Sequence, residues 1–397
     1  MYGMKRKNFL LYLAASAFLA AGLAGCAGKQ EDAQKEQQEA DNSEDASETQ
    51  TDAGGEEASQ DANTASADIT PEPQEIPDVT PGPVESDGNV VGLSLPEENE
   101  QWTMTAQIIQ EKLESQGYRV EVNYAGGEIQ RQQMQTEAMA LNNYKAILVA
   151  PVNVQALGSA LAQAEEAGIP VVSCEGLVMF SDAVDYYVGF DNVKAGTLQG
   201  EYIRDALNLE EAGNTKYIEF FAGDPDDSVA QLTYEAMMKV LQPYLGAGTL
   251  AYRDDLRQSY MERGTMNADG ASAVTRIEEV YALYEEAGSL PDAVWCYNDS
   301  IAASVIQVFE EKGASALPVL TGFGTEESAA DNIRGGKQSM TVKKDYQALA
   351  EKAADVLLAA AGQTEITADD TETYNNGSRV VPAYIIDVQS VTKENLG

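Results

Sequence analysis

The residues best suited to chemistry lie in short polar segments, each placed directly after a run of apolar residues. They combine carboxylates, amides, lysines and a few aromatic rings. Charged and amide groups replace the water around a hydroxyl-rich molecule with directional hydrogen bonds, and an aromatic ring covers its C–H face. The segments are Pro96–Trp102, Cys174–Leu177, Asp191–Asn192, Asp224–Asp227, Asn298–Asp299, Phe323–Thr325 and Lys343–Asp345. They predict a binding site for a small polar ligand.

Catalysis has less support in the sequence. The chain contains no histidine, which excludes His-based acid–base catalysis and most transition-metal sites. A glycosidase needs two carboxylates, but the acids here are spread along the chain. No Gly-x-Ser-x-Gly, phosphate loop or metal-ligand spacing occurs, and Asp224–Asp227 lacks the spacing of a calcium loop. We therefore expect no enzymatic activity, no cofactor and no metal.

Apolar runs and helical patterns alternate from Asn89 onward, and these elements must position the polar segments. The predicted strands are Val90–Leu95, Tyr118–Tyr124, Ala146–Ala150, Ile169–Ser173, Asp185–Phe190, Lys216–Phe221, Gly248–Tyr252, Ala293–Tyr297, Pro318–Thr321 and Ser339–Val342. The predicted helices are Trp102–Gln116, Ile129–Asn142, Val154–Ala167, Lys194–Leu207, Ser228–Leu245, Ser272–Glu286, Ser300–Lys312 and Tyr346–Ala361. This alternation predicts an α/β protein with two doubly wound parallel-sheet lobes, in which ligands bind at the carboxyl ends of the strands. On element count alone, a closed (β/α)₈ barrel is the rival architecture.

Several stretches follow one another in the order of a known family. They are Asp185–Asn192, Gly223–Asp227, Pro291–Val294 with Asn298–Asp299, Gly336–Val342 with Lys344–Asp345, Thr371–Gly377, Val381–Tyr384 and Val391–Leu396. Together they make residues 89–397 resemble type I periplasmic binding proteins, and among these the D-xylose-binding and multiple-sugar-binding receptors of bacterial ABC importers. The resemblance implies lobes joined by a three-crossing hinge, with the N-lobe at 89–192 plus 343–368 and the C-lobe at 193–342 plus 369–397.

The resemblance also implies ligand contacts at particular residues. Asp299 matches the family's ligand-binding acid, next to Asn298, and Lys344 matches its sugar-contacting lysine. Trp102 opens the first helix at the mouth of the cleft, where it would stack on the ligand. Each assignment has a structural alternative: Asp299 as a helix N-cap, Lys344 as a solvated surface residue and Trp102 as part of the core.

The chain departs from the family pattern inside the predicted pocket. Gln101 stands in place of an arginine, and Glu175 with Gly176 replaces an Asp-Arg pair. The remaining candidate ligand-binding residues are Glu175, Asp227, Asn267, Asp269 and Phe323, of which Phe323 would supply the aromatic face. A pocket that keeps carboxylates and loses donors disfavours acidic sugars, tolerates neutral ones and would favour a ligand with an amine.

The N-terminus is typical of a lipoprotein signal peptide, predicted at 1–26. Basic residues at 5–7 precede an apolar run, Phe9–Ala24, that is short for a membrane span. Leu23–Cys26 matches the bacterial lipobox, in which the cysteine is lipidated and becomes the new N-terminus. We therefore expect an extracytoplasmic protein that Cys26 anchors to the bacterial cell membrane, with an ordinary secreted protein as the alternative.

Residues 27–88 are predicted to be a disordered linker, acidic at first and then rich in proline. The formal net charge of the whole chain is −40, which excludes a nucleic-acid partner. Cys174 and Cys296 are expected to be buried thiols, with one disulfide as the alternative.

The sequence thus predicts a monomeric receptor that captures a small sugar between two lobes and delivers it to the permease of an ABC importer. The alternative is a receptor of the same fold whose closure is sensed by a chemoreceptor or a sensor kinase.

Overall fold

The computed structural model describes residues 88–324 and 327–396. The predicted signal peptide, the lipidation site Cys26, the linker as far as residue 87, and Thr325 lie outside these residues.

Strands and helices alternate along the described chain, as the apolar runs predict. The strands are Val90–Leu95 (β1), Arg119–Tyr124 (β2), Ala146–Val149 (β3), Val171–Cys174 (β4), Val184–Phe190 (β5), Lys216–Phe221 (β6), Leu250–Ala251 (β7), Ala293–Cys296 (β8), Val319–Gly324 (β9), Met340–Lys343 (β10), Ala383–Ile386 (β11) and Gln389–Thr392 (β12). The helices are Glu100–Glu114 (α1), Ile129–Leu141 (α2), Gly158–Ala167 (α3), Asn192–Ala206 (α4), Ser228–Ala247 (α5), Tyr260–Arg263 (α6), Gly270–Glu286 (α7), Asp299–Glu311 (α8), Glu327–Arg334 (α9) and Tyr346–Gly362 (α10).

The strands form two six-stranded sheets, each the centre of one lobe. The first has the order β11-β5-β4-β3-β1-β2, and the second has the order β12-β10-β9-β8-β6-β7. Neighbouring strands are parallel except β10 and β12, which run antiparallel. Every residue of β1, β3, β4 and β8 is buried, as sheets covered by helices on both faces require. The structure confirms the two doubly wound lobes and contradicts the closed barrel.

The chain crosses between the lobes three times, from β5 to α4, from β10 to α10 and from β11 to β12. After the second crossing, α10 packs on α1 and on the first sheet. The predicted placement of 369–397 wholly in the C-lobe is wrong, because β11 pairs with β5 in the first sheet. Strand β12 alone extends the second sheet. Two short edge strands differ in their pairing partner, and no local residue pattern encodes that choice.

Both cysteines of the described chain end a central strand, Cys174 in β4 and Cys296 in β8. Each is buried with a free thiol. Burial raises the pKa of both thiols well above the ordinary value. They pack as small apolar residues.

Candidate functional site

Charged and aromatic side chains from both lobes meet at the second crossing, where the chain leaves β10 and enters α10. Glu175 comes directly after β4 in the first lobe, and its left-handed backbone, with φ of 63°, ends that strand. Lys344 follows β10 and donates a hydrogen bond of 3.0 Å to the Glu175 carboxylate. Tyr346 donates to the same carboxylate oxygen. The side chains of Glu175 and Lys344 are only 23% and 16% exposed, so this ion pair is largely withdrawn from water.

Two aromatic rings complete the surroundings of the Lys344 ammonium. The nitrogen lies 4.7 Å from the centre of the Phe323 ring, at the end of β9 in the second lobe. It lies 5.6 Å from the centre of the Phe190 ring, at the end of β5 in the first lobe. Both distances are within the range of cation–π attraction. Lys344 is therefore held by one carboxylate and two rings and is not a solvated surface lysine.

A tyrosine from each lobe borders this group. Tyr187 of β5 donates a hydrogen bond of 2.8 Å to the backbone carbonyl of Glu175. Tyr297 directly follows β8, and its ring meets the edge of Phe323 with centroids 6.4 Å apart. Burial raises the pKa of both tyrosines well above its ordinary value, and the negative charges of Asp227 and Glu175 raise each further. Asp227 and Glu175 thus act on the same pair of tyrosines from different lobes.

Asp227 approaches this group from the second lobe, in the turn between β6 and α5. As the N-cap of α5 it accepts a hydrogen bond of 2.9 Å from the backbone N–H of Val229. Burial raises the pKa of its carboxyl to about 6. The N–H groups of Val229 and Ala230 oppose that rise, as does the charge of Lys344, whereas Asp224 adds to it. The raised pKa is therefore that of a carboxylate that burial separates from water and that nearby positive charge stabilises only weakly.

Asn298 and Asp299 have different structural roles at the start of α8. One caps the helix, and the other is a buried hydrogen-bond acceptor. Asn298, and not Asp299, is the N-cap, and its amide also donates 2.7 Å to the carbonyl of Ala268. Asp299 is 1% exposed. Its carboxylate accepts hydrogen bonds from Gln338 at 2.8 Å and Thr341 at 2.9 Å, both in the second lobe. Ligand contact by Asp299 stays a prediction.

The remaining predicted residues have structural contacts of their own. Trp102 is buried in the first-lobe core, as the alternative assignment proposed, and meets the site through an edge contact with Tyr346. Asn267 is exposed in a left-handed conformation, and its backbone N–H donates 2.6 Å to the Asp224 carboxylate. Asp269 is exposed and caps α7. No contact found in the described chain joins Asn267 or Asp269 to Lys344.

Sequence reasoning missed several members of the site, namely Tyr187, Phe190, Tyr297 and Tyr346. Tyr346 stands one residue beyond the polar segment that ends at Asp345. Tyr297 and Phe190 were assigned to strands, and both lie at the carboxyl end where ligands bind. Extending each inspected segment by one residue on either side would have included Tyr297, Phe190 and Tyr346.

Metal and membrane features are absent from the described residues. They contain no group of three or more His, Cys, Asp or Glu residues placed to hold a metal ion. None of the helices within 88–324 and 327–396 is long and apolar enough to cross a bilayer.

Two doubly wound lobes that share a polar and aromatic group at their crossing define the class of two-lobed binding proteins. Residues 91–365 match the model of the periplasmic binding protein domain. The chain belongs to this family, which confirms the resemblance inferred from the sequence.

Relatives and a solved structure cover most of the chain. It is 33% identical over 315 residues to the multiple sugar-binding periplasmic protein SbpA of Azospirillum brasilense, covering 78% of this chain and 87% of that protein. It is 32% identical over 317 residues to the multiple sugar-binding periplasmic receptor ChvE of Rhizobium radiobacter, covering 78% and 88%. An ABC transporter solute-binding protein of Clostridium phytofermentans, solved with bound β-D-glucose, superposes with a TM-score of 0.72. That structure is 34% identical, and the match covers 77% of this chain and 94% of that chain.

Proposed function

We propose that this chain is an extracytoplasmic receptor that binds a small sugar, or a sugar-like molecule, between its lobes and delivers it as a monomer to an ABC importer. The observation that carries the proposal is the group formed by Glu175, Lys344, Phe190 and Phe323, which draws on both lobes and the crossing. Carboxylate and ammonium groups hydrogen-bond to hydroxyls, and the rings offer an apolar face to C–H groups. The bound glucose of the Clostridium phytofermentans protein and the sugar-binding names of SbpA and ChvE support the same reading.

Binding by lobe closure follows from where these residues are attached. Glu175 belongs to the first lobe, Phe323 belongs to the second, and Lys344 lies on the crossing between them. A ligand that touches all three has its best contacts only when the lobes are closed, so it stabilises that state. The lobes also meet directly, because the Ser228 hydroxyl lies 3.2 Å from the sulfur of Met179. An importer that recognises the closed arrangement would thereby distinguish the loaded receptor from the empty one.

Calorimetric titration of the full chain in detergent with mono-, di- and amino sugars tests the proposal. We expect selective binding by one class of sugar. Lys344→Met should weaken that binding by roughly 10- to 100-fold, because a charge-assisted hydrogen bond contributes about 1.5–3 kcal/mol. The matched control is Lys343→Met, which changes the exposed neighbouring lysine and should leave affinity unaltered. Binding of no sugar, or equal losses in the two variants, would contradict the proposal.

Anchoring at Cys26 is the second part of the proposal, and it rests on the lipobox. We expect Cys26→Ser to abolish incorporation of a palmitate analogue and to move the chain from the membrane fraction to the soluble fraction. Multiple acyl chains hold a protein firmly because each buried CH₂ contributes about 0.8 kcal/mol. Ala27→Ser, the same polar residue one position later, should leave labelling intact. Undiminished labelling of Cys26→Ser would show that Cys26 is not the acylated residue.

A further inference from the structure

The candidate site has more negative than positive charges, and its positive charge is already paired. The negative charges of Asp227, Glu175 and Asp224 all act on Tyr297 at the site, whereas Lys344 supplies one ammonium. Glu175 already pairs with Lys344 at 3.0 Å. An incoming anion would therefore meet a cation whose charge is matched, together with two further negative charges.

The two acids between β6 and α5 accept hydrogen bonds from different backbone N–H groups. Asp224 accepts hydrogen bonds from the backbone N–H groups of Asp226 at 2.9 Å and Asn267 at 2.6 Å, which fixes the exposed 266–269 loop. Asp227 accepts from the N–H of Val229 at the start of α5. Among the ion pairs of the described chain, neither acid has a lysine or arginine partner. Both carboxylates are thus satisfied by backbone donors but not neutralised.

Of these two, Asp227 is the acid that reaches the lobe interface. It directly precedes Ser228, whose hydroxyl lies 3.2 Å from the sulfur of Met179 in the first lobe. Its charge also acts on Tyr187, on Tyr297 and on Lys344 at the crossing. Burial raises the pKa of its carboxyl to about 6, so at neutral pH the group is mainly ionised in a site that disfavours charge. A ligand that further excludes water makes this unpaired charge more costly unless the ligand brings a positive charge of its own.

We infer that the cleft prefers a sugar bearing a protonated amine to its neutral counterpart and rejects sugar acids, with Asp227 as the residue that recognises the amine. This inference rests on the proposed function, since it specifies the substrate class of the same site. A ligand ammonium beside Asp227 restores the missing positive charge. A ligand carboxylate adds to the repulsion from Glu175, Asp224 and Asp227.

Matched ligands titrated into the full chain at pH 7.5 test this selection. Glucose, glucosamine, N-acetylglucosamine and glucuronate, and the corresponding galactose series, differ in charge on one ring skeleton. We expect the amine to bind about tenfold more tightly than the neutral sugar, as one charge-assisted contact provides. The N-acetyl form keeps the nitrogen without its charge and should lose that gain. The sugar acid should bind at least about tenfold more weakly than the neutral sugar, since like charges are juxtaposed.

Asp227→Asn separates recognition from folding, because asparagine caps a helix as well as aspartate does. In this variant the amine and the neutral sugar should bind within about twofold of each other. The matched control is Asp331→Asn, which removes one negative charge from the exposed surface of α9, where Asp331 pairs with Arg334, and should preserve the tenfold preference.

Each outcome bears on one of the two proposals. Equal affinity for the amine and neutral sugars, tight binding of the N-acetyl or acid forms, or a preference that survives in Asp227→Asn would overturn the inference and leave a sugar receptor standing. Failure of every sugar, neutral ones included, would overturn the proposed function and the inference with it.

Discussion

Asp299→Ala is expected to lower the free energy of unfolding by about 2–6 kcal/mol, because the Thr341 hydroxyl and one N–H of the Gln338 amide each lose a buried acceptor at about 1–3 kcal/mol. The Gln338 amide keeps its bond of 3.1 Å to the carbonyl of Met340. The carboxylate that the substitution removes is 1% exposed and accepts from Gln338 and Thr341, which are 2% and 6% exposed. The side-chain oxygen of Gln338 already has no partner within the described chain. Water has little access to replace what is lost, so the cost falls on the fold of the second lobe.

Urea denaturation of the variant and of a matched control measures this cost. Asp269→Ala removes the same side chain from an exposed cap, at the start of α7, and should cost about 1 kcal/mol. If the two variants lose equal stability, Asp299 is not the structural acceptor that its contacts indicate. A loss confined to Asp299→Ala would also mean that this variant confounds assays of ligand binding. Lys344→Met is the better probe for that reason.

The fold could be predicted because its central strands are continuous apolar runs separated by helical periods. Strands such as β1 and β8 are buried along their whole length. A continuous apolar run indicates a strand that is buried on both faces. Strands β11 and β12 were not predicted as strands. Each has four residues at the edge of a sheet, and its place depends on a pairing partner far away in the sequence. Helix α9 has eight residues, too few to show a clear helical period between the turns that flank it.

The site was harder to predict, because helix caps and ligand contacts occur at the same place. A strand that runs into a helix puts an Asp or Asn at the carboxyl edge of the sheet, and both tasks favour these residues. Asp227, Asp269 and Asn298 all proved to be caps. The pairing of Glu175 with Lys344 joins residues 169 positions apart, and no spacing rule connects them. The sequence therefore indicates the edge of the sheets that carries the site, whereas the chain fold determines which side chains meet there.

The close approach of α4 and α5 depends on glycine, and it gives the second large expected effect. A Cβ added at Gly196 would lie 2.0 Å from the backbone carbonyl oxygen of Thr233, and one at Gly200 would lie 3.0 Å from the Cβ of Val240. No rotamer change relieves the first contact, because the obstructing atom belongs to the backbone of α5. The two helices must therefore move apart on the face of the second sheet.

Gly196→Ala should accordingly lower the free energy of unfolding by about 3 kcal/mol, since overpacking typically costs 1–3 kcal/mol and a backbone clash lies at the upper end. The better helix propensity of alanine, worth about 1 kcal/mol, offsets only part of that strain. Gly246→Ala is the matched control, because a Cβ there meets nothing within 4 Å, and this change should leave stability equal or raise it by up to about 1 kcal/mol. Urea midpoints of the two variants decide the matter. If Gly196→Ala is as stable as the control, the two helices accommodate a Cβ at residue 196, contrary to the clash that the 2.0 Å distance implies. If it is less stable as expected, α4, which begins at the first crossing, is fixed by backbone contact at the point where the lobes turn.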